Sequence, residues 1–192
     1  MSRNRVEAFS DGVVAIIITI MVLELRAPIG ASLSLLRPLT PVFLSYILSF
    51  VLVGIYWSNH HHLFQVVERV SGGVLWANLH LLFWLSLIPF ATAWMGQNHF
   101  AAMPVAVYGV VLVFAAIAYF ILTRALLRIH TPDSTLAIAL GRDFKGKISI
   151  MIYLAAISLT FVRPWLGAAL YVLVEIVWLV PDRRIEKRVT AN

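Results

Sequence analysis

Long stretches of apolar residue with almost no charge divide this chain, and no other feature limits its possible folds so sharply. They run from about Val6 to Leu25, Val42 to Val67, Val74 to Met95 and Val105 to Leu127, followed by two shorter ones, Ile148 to Val162 and Trp165 to Val180. The first four reach the roughly 20 residues an α-helix needs to cross about 30 Å of hydrocarbon. Charges, prolines and glycines gather between them. Arg26, Pro28, Gly30, Arg37, Pro38 and Pro41 follow the first stretch, and a polar connector from Arg128 to Lys147 precedes the fifth. Hydrophobic residues make up 61% of the 192 and charged ones 12%, against roughly 45–50% and about 25% in ordinary soluble domains. One soluble core could not hide so much apolar surface. The expected fold is therefore all-α: an integral membrane protein whose six transmembrane helices form one bundle over residues 1–192. The last two stretches are also short enough for a re-entrant hairpin turning at Arg163 and Pro164.

Six crossings put both termini on one side, and the bases say which. With the N-terminus in the cytoplasm, only Arg26, Arg37 and Arg163 of the fifteen Lys and Arg fall outside. The rest cluster inside, at Arg3, Arg5, Arg69, Arg124, Arg128, Arg142, Lys145, Lys147, Arg183, Arg184, Lys187 and Arg188. That is the asymmetry of retained cytoplasmic loops, so both termini are expected to be cytoplasmic. It also accounts for the net charge of +6 without nucleic acid, because the bases form no stripe interleaved with aromatics. Trp57, Trp76, Trp94, Trp165 and Trp178 lie near span ends, as an interfacial belt would place them. There is no cysteine, which excludes disulfides and thiol chemistry. The first span superficially resembles a signal peptide, but Ser10, Asp11 and Gly12 interrupt its start and Glu24 and Arg26 close it, so it reads as a retained helix.

The first span is the least lipid-like of the long ones, and its faces differ. At 100° per residue, Phe9, Gly12, Ile16, Thr19, Ile20 and Leu23 fall within about 60° of one line, while Asp11 lies roughly 140° from Ile16. One side must look into the protomer and the other at lipid or another subunit. An acid in a span is a functional candidate, although at headgroup depth Asp11 also suits a helix N-terminus. The second span ends its cytoplasmic half with Trp57, Ser58, Asn59, His60, His61 and His62; antiparallel topology sets His60 to His62 level with Asp11, and Asn78 and His80 of the third span share that layer. Unpaired polar groups there are expensive, so these should bond one another and hold the first helix. Adjacent histidines on a helix diverge by about 100°, so His60, His61 and His62 are not expected to share a metal or haem.

These residues resemble a family. Arg5-x-x-x-Phe9-Ser10-Asp11 heading the first helix, Trp57-x-x-His60-His61 in the second, and the run from Asn78 through Leu82 to Pro89-Phe90 in the third are similar to the transmembrane protein 175 channels and their prokaryotic relatives. The likeness spans roughly Arg5 to Thr92; beyond that it rests on the number of spans. It implies a prokaryotic member with one six-helix repeat, forming a homotetramer in the inner (plasma) membrane, with the first helix of each copy lining a central pore. It further implies a constriction at Ile16, further apolar rings at Ile20 and Leu23, and a hydroxyl ring at Thr19 that favours potassium. Arg5, Phe9, Ser10, Asp11, Trp57, His60, His61 and Asn78 would be the signature and packing residues. The partners would be other copies, lipid and monovalent cations, and no cofactor or metal is expected beyond permeant potassium. With no Thr-Val-Gly-Tyr-Gly filter in the chain, the expected preference for potassium over sodium is modest.

Two other readings compete. In a proton-coupled secondary transporter, Asp11, Glu175, Glu24 or the second-helix histidines would carry protons; against it, no inverted repeat or Gly/Pro-broken midplane helix is evident. Glu175, deep in the sixth span, is expected to make an inter-helix hydrogen bond. An intramembrane enzyme lacks a nucleophile motif, a His-Glu-x-x-His pair and an oxyanion hole, so no catalysis is expected.

Overall fold

The structure is a computed structural model that describes residues 2–131, 134, 136–137 and 144–179. Pro132, Asp133, Gly141 and Arg142 of the connector, Val180, and the terminal Arg183, Arg184, Lys187 and Arg188 lie outside the described residues. The elements in chain order are α1 (Arg3–Leu23), a 3-10 segment (Leu33–Leu39), α2 (Thr40–Gln65), α3 (Gly72–Ser86), α4 (Ile88–Gln97), α5 (Ala102–Leu127), α6 (Phe144–Thr160) and α7 (Pro164–Leu179). Prolines start helices where a missing N–H costs nothing: Pro41 in the first turn of α2, and Pro164 as the first residue of α7. Ser71 caps α3, its side chain accepting from the Val74 amide at 3.4 Å.

Among the described residues, four helical stretches are long and apolar enough to cross a membrane: Arg3–Leu23, Leu33–Gln65, Gly72–Gln97 and Ala102–Leu127. The third of these is not the continuous helix its composition suggests. Pro89 cannot donate to the Leu85 carbonyl, and the rod breaks at Leu87 into α3 and α4. Counting that pair as one rod, the described residues form six α-helical rods.

The two short helices have 17 and 16 residues, each about 25 Å long at 1.5 Å per residue. Their contacts nevertheless run along most of α5. The Tyr171 hydroxyl of α7 donates to the Val105 carbonyl near the start of α5 at 3.2 Å. Towards the opposite end, Trp178 Nε1 donates to Ser149 Oγ of α6 at 2.9 Å, beside Phe120. The Phe161–Arg163 turn therefore lies beyond Val105, near the start of α5.

α5 is the central helix, packed against α3, α4, α6 and α7, and its Tyr108, Leu112, Leu122 and Leu126 are fully buried. α1 packs on α2, α3 and α4. The basic end of the bundle is tied together by backbone acceptors: Arg3 donates to the carbonyls of Gln65 and Val67 at 3.1 and 3.4 Å. His130, after α5, accepts from the Glu68 amide at 3.1 Å.

Where α5 meets α6 and α7 the approach is close enough to require glycine. A Cβ on Gly109 would strike the Tyr171 hydroxyl and come within 2.7 Å of Ile157 Cγ1. Gly109→Val should therefore cost about 1–3 kcal/mol, the usual range for overpacking, and detergent thermal unfolding should register a lower midpoint than for the wild type.

Candidate functional site

α1 has two unlike sides. Val6, Ser10, Val14, Ile17 and Met21 are buried against the rest of the chain at spacings of three and four residues. The opposite stripe has no cover: Phe9 is 55% exposed, Ile16 59%, Ile20 43% and Leu23 77%. Gly12 and Thr19 are exposed on the same side, and so is Arg5, which lies roughly 20° from Ile16 around the helix. The Thr19 hydroxyl donates to the Ile16 carbonyl at 2.9 Å. Its proton is thereby committed to the backbone, which leaves its oxygen as an acceptor.

Polar contacts fix which side faces in. The Trp57 indole of α2 donates to Asp11 Oδ1 at 2.9 Å. His61 Nδ1 pairs with Glu7 Oε1 at 2.9 Å and receives Gln65 Nε2 on its other nitrogen at 2.8 Å. These contacts form a ladder between antiparallel helices, in which Arg3 faces Gln65, Glu7 faces His61 and Asp11 faces Trp57. Each rung is four residues from the next on both helices, so successive rungs stand on one face. A second chain of bonds ties α1 to α3 and α3 to α2. Ser10 Oγ accepts from Asn78 Nδ2 at 2.9 Å while donating to the Val6 carbonyl at 2.8 Å. Asn78 Oδ1 accepts from His60 Nε2 at 2.8 Å. Ser10, Asn78 and His60 are all buried.

The sequence places Asp11, His60, His61 and Asn78 in one layer; the structure bonds His61 and Asn78 to α1 directly and His60 through Asn78, and none of the three to Asp11. Asp11 takes the indole of Trp57, not a histidine. Trp57 is therefore a helix-to-helix contact as well as an aromatic near the bundle's end. Glu7 was missed as a partner, although it precedes Asp11 by the same four residues that separate Trp57 from His61. His62 turns to Ser58 at 3.5 Å, and His80 accepts from Trp84 within α3 at 3.0 Å. The three adjacent histidines thus face three different partners. Glu175 departs from expectation too. Its Oε1 is buried with no hydrogen-bond partner among the described residues.

Residues 5–89 match the family model described as the endosomal/lysosomal potassium channel TMEM175. A potassium channel of Chryseobacterium sp. (strain P1-3) is 55% identical over 192 residues, which is 100% of either chain. The chain belongs to the TMEM175 family. It is thus a multi-pass membrane protein of an ion-channel family, not an enzyme. A potassium channel of Chamaesiphon minutus is 32% identical over 180 residues, 85% of this chain and 87% of that one. The crystal structure of a lysosomal potassium-selective channel TMEM175 homolog from the same organism superposes with a TM-score of 0.77 at 27% identity, covering 94% of this chain and 97% of that one. The mouse endosomal/lysosomal proton channel TMEM175 is 34% identical over 144 residues, 66% of this chain but 29% of its own length. The matched relatives of similar length carry the family likeness past Thr92, where the motifs stop.

Asn78→Ala would strip partners from Ser10 and His60 together. Leaving a buried polar group unpaired costs about 1–3 kcal/mol, so Asn78→Ala should melt well below the wild type, whereas Trp57→Phe, at a part-exposed rung, should melt closer to it. Equal melting of Asn78→Ala and wild type in the same detergent would show that the buried chain of bonds holds nothing.

Proposed function

We propose that four copies of the chain form a potassium-favouring cation channel, with α1 of each lining a central pore and the basic end of the bundle in the cytoplasm. The observation that carries this reading is the bare stripe of Ile16, Thr19, Ile20 and Leu23 on a helix whose other face is locked inward. Lipid could cover the aliphatic residues of that stripe, but it would leave the acceptor lone pairs of Thr19 unused. Around a symmetry axis the same stripe gives, in order, an apolar ring at Ile16, a ring of hydroxyl oxygens at Thr19 and further apolar rings at Ile20 and Leu23. The names of the bacterial relatives, potassium channels of matching length, support the permeant ion.

The proposed mechanism is hydrophobic constriction. A narrow ring of isoleucine side chains cannot replace the water an ion sheds, so it dewets and blocks conduction when tight. Where it widens enough for a hydrated or partly hydrated ion, the smaller dehydration cost of potassium gives it the advantage, and the Thr19 oxygens supply acceptors one turn further on. Without a carbonyl cage the preference stays modest.

In liposomes, Ile16→Asn should raise single-channel conductance severalfold, since an amide ring holds water where isoleucine expels it. Thr19→Val should draw the reversal potential in a mixed potassium–sodium gradient towards the nonselective value. Unitary current steps separate this channel from a proton-coupled carrier, which would give none. Dominant anion flux, or an Ile16→Asn protein with unaltered currents, would refute the pore assignment.

A further inference from the structure

On another side of the bundle from the α1 stripe, α2, α5, α6 and α7 enclose a second, unrelated space. It is a cavity of about 50 Å³ with a half-buried rim. Its walls include Tyr56 and Asn59 of α2, Phe120 of α5, Tyr153 of α6 and Trp178 of α7, with Glu175 of α7 among them. Glu175 is only 5% exposed, and among the described residues its Oε1 has no hydrogen-bond partner. Of the other polar lining groups, Asn59 Nδ2 donates to the Ile55 carbonyl at 2.8 Å, the Tyr119 hydroxyl to the Asn59 carbonyl at 3.2 Å, and Ser149 Oγ accepts from Trp178 Nε1 and donates to the Lys145 carbonyl at 2.8 Å; the Tyr56 and Tyr153 hydroxyls make no hydrogen bond to Glu175 Oε1.

We propose that this cavity binds an alkylammonium group, with the nitrogen paired to Glu175 and the carbon arm against the aromatic walls. Two independent features select that chemistry. A carboxyl oxygen left unpaired in apolar surroundings is costly, and a donor bearing positive charge relieves that cost more fully than a neutral one. The surrounding faces of tyrosine, phenylalanine and tryptophan are electron-rich, which favours an organic cation over an anion or a neutral alcohol. A bare divalent metal is poorly served, since one carboxylate among aromatic rings falls far short of six oxygen ligands. Size sets the scale of the ligand. A single water occupies about 10–15 Å³ on this measure, so the space takes an ammonium and about three carbons. A longer chain would leave through the rim, where Phe120 and Trp178 are half-buried.

The rim has its own cation. Lys145 Nζ lies 5.9 Å from the centre of the Trp178 ring. The ammonium could reach the cavity as a free amine or on the ethanolamine headgroup of a lipid, and the two sources are separable by bilayer composition.

The test is a calorimetric titration of the full chain in phosphatidylglycerol nanodiscs with n-propylammonium, and with 1-propanol as the uncharged counterpart. The wild type should bind propylammonium saturably and propanol not at all. Glu175→Gln should weaken binding at least tenfold. Ala116→Leu, which fills the same cavity from α5, should do likewise and stands in if Glu175→Gln does not fold. Ile16→Asn, on the α1 stripe, should leave the affinity unchanged. In phosphatidylethanolamine nanodiscs an apparent affinity weakened severalfold assigns the site to the lipid headgroup, and an unchanged one assigns it to free amines; both support the site. A flat wild-type titration, as expected if Lys145 turns inward to take the carboxylate, would overturn the proposal. So would equal affinity in wild type and Glu175→Gln, or a loss confined to Ile16→Asn. This inference does not rest on the conduction pathway and stands or falls separately from it.

Discussion

Polar groups inside a greasy bundle have to find one another, and that single requirement orients the first helix. In water, Ser10, Asn78 and His60 could each be satisfied by solvent at almost any rotation of α1. Packed among apolar side chains, they are satisfied only when α1 presents Ser10 to α3 and Glu7 and Asp11 to α2. Apolar contacts at Val6, Val14, Ile17 and Met21 then fill the remaining space on that side. Hydrophobic packing is non-directional and would tolerate several rotations of so apolar a rod. The hydrogen bonds choose one, and by choosing it they turn Ile16 and Leu23 outward.

The same division explains what could be read from the residues alone. The spans were legible because lipid permits long uncharged runs and water does not. The two faces of α1 were legible because Asp11 and Ile16 stand on opposite sides of any α-helix. The layer of polar partners was legible from topology, which sets Asp11 level with the histidines of α2. Its individual pairs were not. Whether Asp11 takes an imidazole or an indole depends on side-chain reach across a particular helix contact, and Trp57 has the reach. Glu7 left a signal that was available: two acids four apart opposite an aromatic and an imidazole four apart form matching rungs when the helices run antiparallel.

The break in the third span and the fate of Glu175 illustrate two other kinds of limit. Pro89 sits in an apolar run, where neighbouring helices often let a rod continue through a proline; only the backbone geometry shows that it parts into α3 and α4. Glu175 was expected to bond across helices because that is the ordinary way to accommodate a buried acid. Here its surroundings are contributed by four helices distant in sequence, and the aromatic residues among them are not evidently a group until the chain is folded.

The ladder between α1 and α2 is confined to the stretch from Arg3 to Asp11, roughly the first half of a 21-residue rod. Past Val14 the helix meets its neighbours through hydrocarbon alone, at Ile17 and Met21. Such a rod is a cantilever, riveted at one end and lubricated along the rest. A given force moves its free tip, near Leu23, much further than its clamped root. In the pore proposed above, widening would therefore begin as a splaying of tips, with Ile16, closer to the rivets, as the stiffer position and the last to yield.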